Sequence, residues 1–383
     1  MTHQMFSDMK PIKRNKCIAC GSSINDIYTL NNFPIFMGIT TQPNDSDILC
    51  DKIIGACDNC KSVQMKNLIP LEVLYENNHN SLVGKTWEKH HNEFCDFVGK
   101  YISGTVVEIG GSNLVVANNL AKNTDIEKYI VFDNNIYKEE RKSDKIVFRE
   151  EFFNLNTVED NVGVIIHTHL IEHLYNPTDE LSDMGSIMKE GSYMMFAAPS
   201  VDKMLEDNFT NGFNFEHTYM LSQKMVKNML SSSGFEIVDT KKFSPYVTFY
   251  VARKNSRIKK EVAHSYHNQP EIISNFINYH ISEVQRIKEH IDTEKENTFI
   301  FGAHIFTQYL LGFGLDENLF INVLDNDPKK IGNRLYGTQL NVKSPKILKD
   351  FEEPVVVLKA AMYTEEIKKD ILENINPNVR FIL

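Results

Sequence analysis

The sequence predicts an α/β protein in three parts: a four-cysteine module, a central doubly wound domain and a smaller Rossmann-like α/β unit. Three observations carry this. Two Cys-x-x-Cys pairs lie near the N-terminus, apolar runs alternate with polar segments from Gly104 to about Asn255, and the alternation resumes after Asn297. The expected boundaries are 1–75 for the cysteine module, 76–255 for the central domain, 256–296 for a helical connector and 297–383 for the last unit.

At 383 residues the chain exceeds one ordinary core and suits two or three domains of about 150 residues. Hydrophobic residues make up 42% and charged residues 24%, the balance of a soluble globular chain. With 51 acidic against 41 basic side chains the net charge is −10, which repels a phosphate backbone and argues against nucleic acid as a partner. The opening MTHQMFSDMKPIKRNK is basic with no apolar stretch behind it. No run approaches the roughly 18 apolar residues of a membrane span. A cytoplasmic, soluble protein with no membrane partner is expected; the oligomeric state is left open.

Of the 6 cysteines, Cys17/Cys20 and Cys57/Cys60 form the two pairs. Two intervening residues let both sulfurs of one turn face a common centre, and two such knuckles supply the four ligands of a structural zinc. Gly21 and Asp58-Asn59 suit the knuckle turns. Four thiolates close the coordination shell, so this Zn2+ is expected to build the fold and not to catalyse. Cys50 and Cys95 read as buried small side chains.

After a connector from Leu68 to Tyr75, the spacing of Trp87, His91, Phe94, Phe97/Val98 and Tyr101 predicts a helix. Then come TVVEIG, LVVANNLAK, KYIVFD, KIVF, GVIIHTH and SYMMFAAP, runs whose alternation with polar segments predicts βαβ units and a parallel sheet. FEIVDTKKF and YVTFYVARK predict an antiparallel hairpin at its edge. Ile272, Ile273, Phe276, Ile277, His280, Ile281, Val284, Ile287 and Ile291 form one apolar stripe, a long connecting helix. NTFIFGAH, LFINVLDNDP and EPVVVLKAAM repeat the strand and helix alternation in the last unit.

Four features in the central block point to a ligand. VVEIGGSN runs a buried strand into a glycine turn, where Gly110 and Gly111 permit close backbone approach. The turn, with Ser112 and Asn113, opens a helix whose N-terminus can take a carboxylate. Glu108 is placed to hold a cationic amine or a water. Asp133, ending the next strand, can reach the ribose hydroxyls of an adenosine ligand. A dinucleotide needs G-x-G-x-x-G, and Gly110-Gly111-Ser112-Asn113-Leu114-Val115 is not that pattern. A dinucleotide is thus disfavoured, and S-adenosylmethionine is the expected cofactor, the other reading of the turn being a sheet connection that holds no ligand.

The third feature is His169-Leu170-Ile171-Glu172-His173, after a hydrophobic strand. It resembles a segment found after strand four in class I methyltransferases. H-x-x-E-H also spells an inverted zinc-protease motif, but that requires a long helix, whereas here the motif caps a strand and precedes Asn176-Pro177. The fourth is the ending Ser233-Gly234-Phe235-Glu236-Ile237-Val238, which resembles the close of the same fold. His169 is counted with Glu108, Gly110, Gly111, Ser112, Asn113 and Asp133 as cofactor-binding.

Taken with the cysteine module and the C-terminal unit, nearly the whole chain resembles the sugar C-methyltransferases that act on nucleotide-linked deoxy-keto-sugars. The resemblance implies that Glu216-His217 match the family's Glu-His pair, with His217 as the general base that removes a proton beside a ketone. It assigns Tyr75 and His79 to the family's tyrosine-rich segment. Asn214 stands at a family tyrosine, Phe215 at a family histidine, and the cofactor loop departs from the family's GSNDG. The expected activity is methyl transfer to a sugar or nucleotide sugar, on carbon or, with His217 acting on a hydroxyl, on oxygen. A binding protein that keeps the fold without catalysis is the alternative from another class. In the C-terminal unit, Phe301-Gly302-Ala303-His304 and Asp325-Asn326-Asp327-Pro328 resemble half of a nucleotide-binding fold but lack its further glycines, so no bound NAD is expected.

Overall fold

The computed structural model describes residues 9–75, 85–123, 125–158, 162–258, 265–291, 297–360 and 363–383. In the N-terminal module β1 (Ile24–Pro34), β2 (Leu49–Cys57) and β3 (Val63–Met65) form an antiparallel sheet in that order. Its turns carry the two cysteine pairs. The expected connector contains one helical turn, Leu71–Leu74.

The central domain begins with α1 (Lys85–Val98). Its strands are β4 (Gly104–Ile109), β5 (Ile126–Phe132), β6 (Ile146–Arg149), β7 (Val162–Thr168), β8 (Met188–Pro199), β9 (Phe235–Ser244) and β10 (Val247–Lys254), in the spatial order β9-β10-β8-β7-β4-β5-β6. The five strands β4 to β8 are parallel, while β10 runs antiparallel to β8 and to β9. LVVANNLAK is the short helix α2 (Val115–Leu120) between β4 and β5. Strands covered on both faces are apolar throughout rather than alternating, which is why VVEI of β4 is wholly buried. One face packs Val106, Tyr129, Val131 and Met195 against Phe94 and Val98 of α1 and Val116 of α2.

The other face does not close on itself. Val107, Ile165 and Phe196 belong to one core cluster with Leu30, Phe33 and Ile54 of the N-terminal module, Phe276 and Ile287 of the long helix α3 (Gln269–His290), and Tyr309 of the last unit. The parts are fused through a shared interior. In the C-terminal unit β11 (Thr298–Phe301), β12 (Val323–Leu324), β13 (Val342–Lys343), β14 (Val355–Leu358) and β15 (Arg380–Ile382) form a parallel sheet ordered β13-β12-β11-β14-β15. The α/β class, the central sheet and the smaller C-terminal sheet are as the sequence predicts. Arg334 anchors this unit to the N-terminal module through a fork on Asp47, at 2.6 and 2.8 Å. No helix among the described residues is long and apolar enough to cross a membrane.

Candidate functional site

The strand order reverses between β4 and β7, the place where open α/β sheets leave a crevice at the carboxyl ends. Ile109 pairs with Phe132 on one side and His167 on the other, so Gly110, Asp133 and His169 leave the sheet side by side. Gly110 has φ +84°, and a Cβ on Gly111 would collide with the Glu108 carboxylate at 2.7 Å. Both glycines are thus required by the turn. Glu108 itself points inward: it is buried, accepts a 2.8 Å hydrogen bond from the Tyr129 hydroxyl, and burial pushes its carboxyl up to about 7. Its carboxylate lies directly beneath Gly111 of the turn.

Asn113 Oδ1 accepts the Val115 N–H at 3.1 Å, so one donor of the expected anion-binding helix end is already used. Ser112 O accepts from Tyr137 N. Half-buried Asp133 accepts from Asn135 N at 2.9 Å, and burial raises its carboxyl. His169 takes a left-handed φ of +56°, uncommon for a residue with a side chain. Its Nδ1 lies 3.1 Å from Glu172 Oε1 and its Nε2 lies 3.3 Å from His90 Nε2 of α1. Glycine freedom, a half-buried acid on the next strand and a crevice between them fit an adenosine ligand with an amino-acid tail.

Beside this crevice is a cluster of acid and imidazole groups. Ile171–His173 is a single 3-10 turn after β7, not the long helix a zinc protease uses. Glu172 is fully buried. Burial alone would raise its carboxyl, but the His169 hydrogen bond and the nearby His169, His173 and His217 hold it at about 2. One ligand atom each from Glu172, His173 and His217 lie within 4.8 Å of one another, and the His173 and His217 rings stand 4.7 Å apart at 81°. Tyr75, from the N-terminal module, sets its hydroxyl 2.8 Å from His173 Nδ1. Burial pushes His173 down to about 3, with His217 adding to it. His217 is also lowered by burial, Glu172 working the other way, and its Nδ1 has no partner. Burial lifts the Glu216 carboxyl to about 7.

The structure therefore brings together Tyr75, Glu216 and His217. His79 lies outside the described residues. Asn214 is committed to its own turn: its Oδ1 accepts from Glu216 N at 2.7 Å and His217 N at 3.0 Å, while its Nδ2 donates to Asn211 O. The amide shapes the turn that presents the pair and is not free to steady a ligand. Glu172, His173 and His90 complete the cluster without having been singled out as site residues. The signal was present in H-x-x-E-H and in Trp87-x-x-His90, yet nothing local says that these side chains meet.

In the N-terminal module the sulfurs of Cys17, Cys20, Cys57 and Cys60 lie within 4.8 Å of one another. Cys17 and Cys60 are 3.5 Å apart, and Cys20 and Cys57 3.4 Å. A tetrahedral zinc with Zn–S bonds of about 2.3 Å sets sulfurs roughly 3.8 Å apart, so the set fits one soft ion with little movement. Ala19 N and Gln64 Nε2 donate to Cys17 Sγ, which favours its thiolate. Among the described residues the other convergence of metal-ligating groups is Glu172, His173 and His217.

Residues 86–240 match the family described as methyltransferase domain. No curated protein matches the chain. Among solved structures, a putative S-adenosylmethionine-dependent methyltransferase from Listeria monocytogenes is 12% identical with a TM-score of 0.36, covering 43% of this chain and 99% of its own. An N-methyltransferase from Bradyrhizobium japonicum in complex with S-adenosyl-L-homocysteine is 11% identical with a TM-score of 0.35, covering 45% and 88%. A putative type 11 methyltransferase from Sulfolobus solfataricus is 15% identical with a TM-score of 0.35, covering 45% and 96%. The chain carries a class I methyltransferase domain over residues 86–240 and is an S-adenosylmethionine-dependent methyltransferase.

Proposed function

We propose that the enzyme methylates a small sugar, nucleotide-linked and bearing a ketone, with His217 as general base and a structural zinc on Cys17, Cys20, Cys57 and Cys60. The observation that carries this reading is the convergence of Tyr75, His173, Glu216 and His217 beside the crevice. A methyl group on a sulfonium is already electrophilic, so the protein needs to place an acceptor and remove its proton. Neutral imidazole with an unengaged nitrogen suits that task near pH 7. The Tyr75 hydroxyl, in contact with His173, is the polar group nearest to hand for a developing enolate oxygen. Gly110, Gly111 and Asp133 would hold the amino-acid and ribose parts of the cofactor.

Asn214 bears on which atom accepts the methyl. With its amide committed to the turn, one donor that the resemblance would place near an enolate is missing, which favours a sugar hydroxyl as the second reading. In either case the proton leaves to His217. Incubation with methyl-labelled cofactor and a panel of nucleotide sugars, followed by mass spectrometry and NMR, is expected to give one product and to locate the methyl. Cofactor binding without transfer to any sugar, but with transfer to another metabolite, would reject the substrate class. Loss of transfer in His217→Ala with cofactor affinity retained is the expected behaviour of the base.

A further inference from the structure

We infer that Arg14 and Lys52, two buried basic side chains of the cysteine-bearing module, are positioning residues that hold the segment 213–218 and set the separation of His217 from His173. The inference concerns side chains outside the crevice and rests on the reading of His217 as the base. Arg14 is 6% exposed and Lys52 not at all. Burying a basic group is costly unless its donors are satisfied, and burial lowers both pKa values; among the described residues neither side chain donates to a carboxylate. All their acceptors are neutral oxygens.

Among those acceptors Phe213 and Thr218 are the two ends of one segment. Lys52 Nζ donates to the Phe213 carbonyl and to the Tyr309 hydroxyl, and Tyr309 in turn donates to the same carbonyl. The rings of Phe33, Phe213 and Tyr309 surround Nζ at 5.2, 5.1 and 4.5 Å, contacts that favour any positive charge it keeps. At the other end Arg14 Nη1 donates to Thr218 O at 3.0 Å and Met65 O at 3.3 Å, and Nη2 to Thr218 Oγ1 at 3.2 Å. Met65 N also donates to Thr218 O, and Met220 N to Val63 O. Between these ends the Asn214 turn presents Glu216 and His217.

Arg14 reaches further. Its Nη2 also donates to Tyr175 O at 3.0 Å, two residues beyond His173. The planar fork therefore ties the segment ending next to His217 to the one leaving His173, a span that the point charge of lysine cannot reproduce. Of these two segments Lys52 holds only that of His217. The two side chains have separable effects: Arg14 ties both imidazole-bearing segments, and Lys52 ties one.

The test uses the full chain with 13C-labelled histidine, resonances assigned by His173→Ala and His217→Ala, and S-adenosyl-L-homocysteine as the binding probe. Arg14→Met is expected to shift the ring resonances of both His173 and His217 strongly, Lys52→Met that of His217 more than that of His173, which feels it only through the ring contact, and both variants to bind the probe within about twofold of the parent. Arg14→Lys restores one of the two resonances at most. Folded variants with unchanged histidine spectra overturn the inference. If Arg14→Met does not fold, Arg14→Lys decides, because parent-like spectra in that variant also overturn it. Shifted histidines with unimpaired methyl transfer would instead reject His217 as base and leave the positioning intact.

Discussion

The Tyr75 hydroxyl lies 2.8 Å from Nδ1 of His173, so a residue of the N-terminal module orients an imidazole of the central domain. His173 in turn stands against His217, edge to face. Tyr75→Phe keeps the ring packed on Phe152 and removes only the hydroxyl. Methyl transfer is expected to fall roughly tenfold to a hundredfold, the usual effect of losing an orienting partner, with cofactor affinity unchanged. Steady-state kinetics beside calorimetric titration checks it; equal losses in both would make Tyr75 a cofactor contact.

The identity of the base is open to a pH profile. Burial raises Glu216 to about 7, whereas it lowers His217 below its ordinary 6.5. A base works only when unprotonated. If His217 takes the proton, the acid limb of the rate has its midpoint below 6.5 and survives Glu216→Gln. An acid limb near pH 7 that vanishes in Glu216→Gln would transfer the role to Glu216.

Much of the fold was legible because its cause is local. The apolar runs of β4, β7 and β8 follow from burial on both faces, and the paired cysteines announce their own convergence. The Asn214 turn has a local cause as well, since an asparagine tends to bond to the backbone two residues on, but in the sequence Asn214 counts with the catalytic residues from its place in the resemblance alone. What stayed hidden depends on contacts between distant segments. Nothing in the sequence near Arg14 shows that its guanidinium meets Thr218 and Tyr175, and Lys52 in the alternating strand β2 reads as a solvent-facing lysine. Glu172 was visible as a letter in a motif. Its burial among His169, His173 and His217 was not, because those neighbours come from two loops of different strands.

The four-cysteine cluster and the convergence of Glu172, His173 and His217 are separable by chelation. Elemental analysis is expected to give about one zinc per chain, held by the four thiolates, and a thiol-reactive agent that displaces it should lower the melting temperature and abolish transfer together, since this module carries Tyr75, Arg14 and Lys52. A mild chelator that leaves that zinc in place should not change the rate, because His217 is needed as a base and not as a ligand. Loss of activity with zinc retained, restored by a divalent cation, would instead assign Glu172, His173 and His217 to a metal.

His167 gives a prediction about stability. It is fully buried in β7, stacked on Phe196 at 4.8 Å, with neither ring nitrogen partnered. Burial lowers it to about 4, with Glu172 opposing and His169 adding. A histidine whose folded pKa lies below its unfolded 6.5 binds more protons when unfolded, so it lowers stability progressively as pH falls from about 6.5 to 4. His167→Leu removes both this cost and the unsatisfied nitrogens. The variant should match or exceed the parent in unfolding free energy at pH 7.5, with a gap that widens by roughly 1 to 3 kcal/mol on acidification to pH 5. Denaturant unfolding at the two pH values measures it. A gap that stays constant would mean that His167 keeps its ordinary pKa in the fold, and that its burial is relieved by a partner such as bound water.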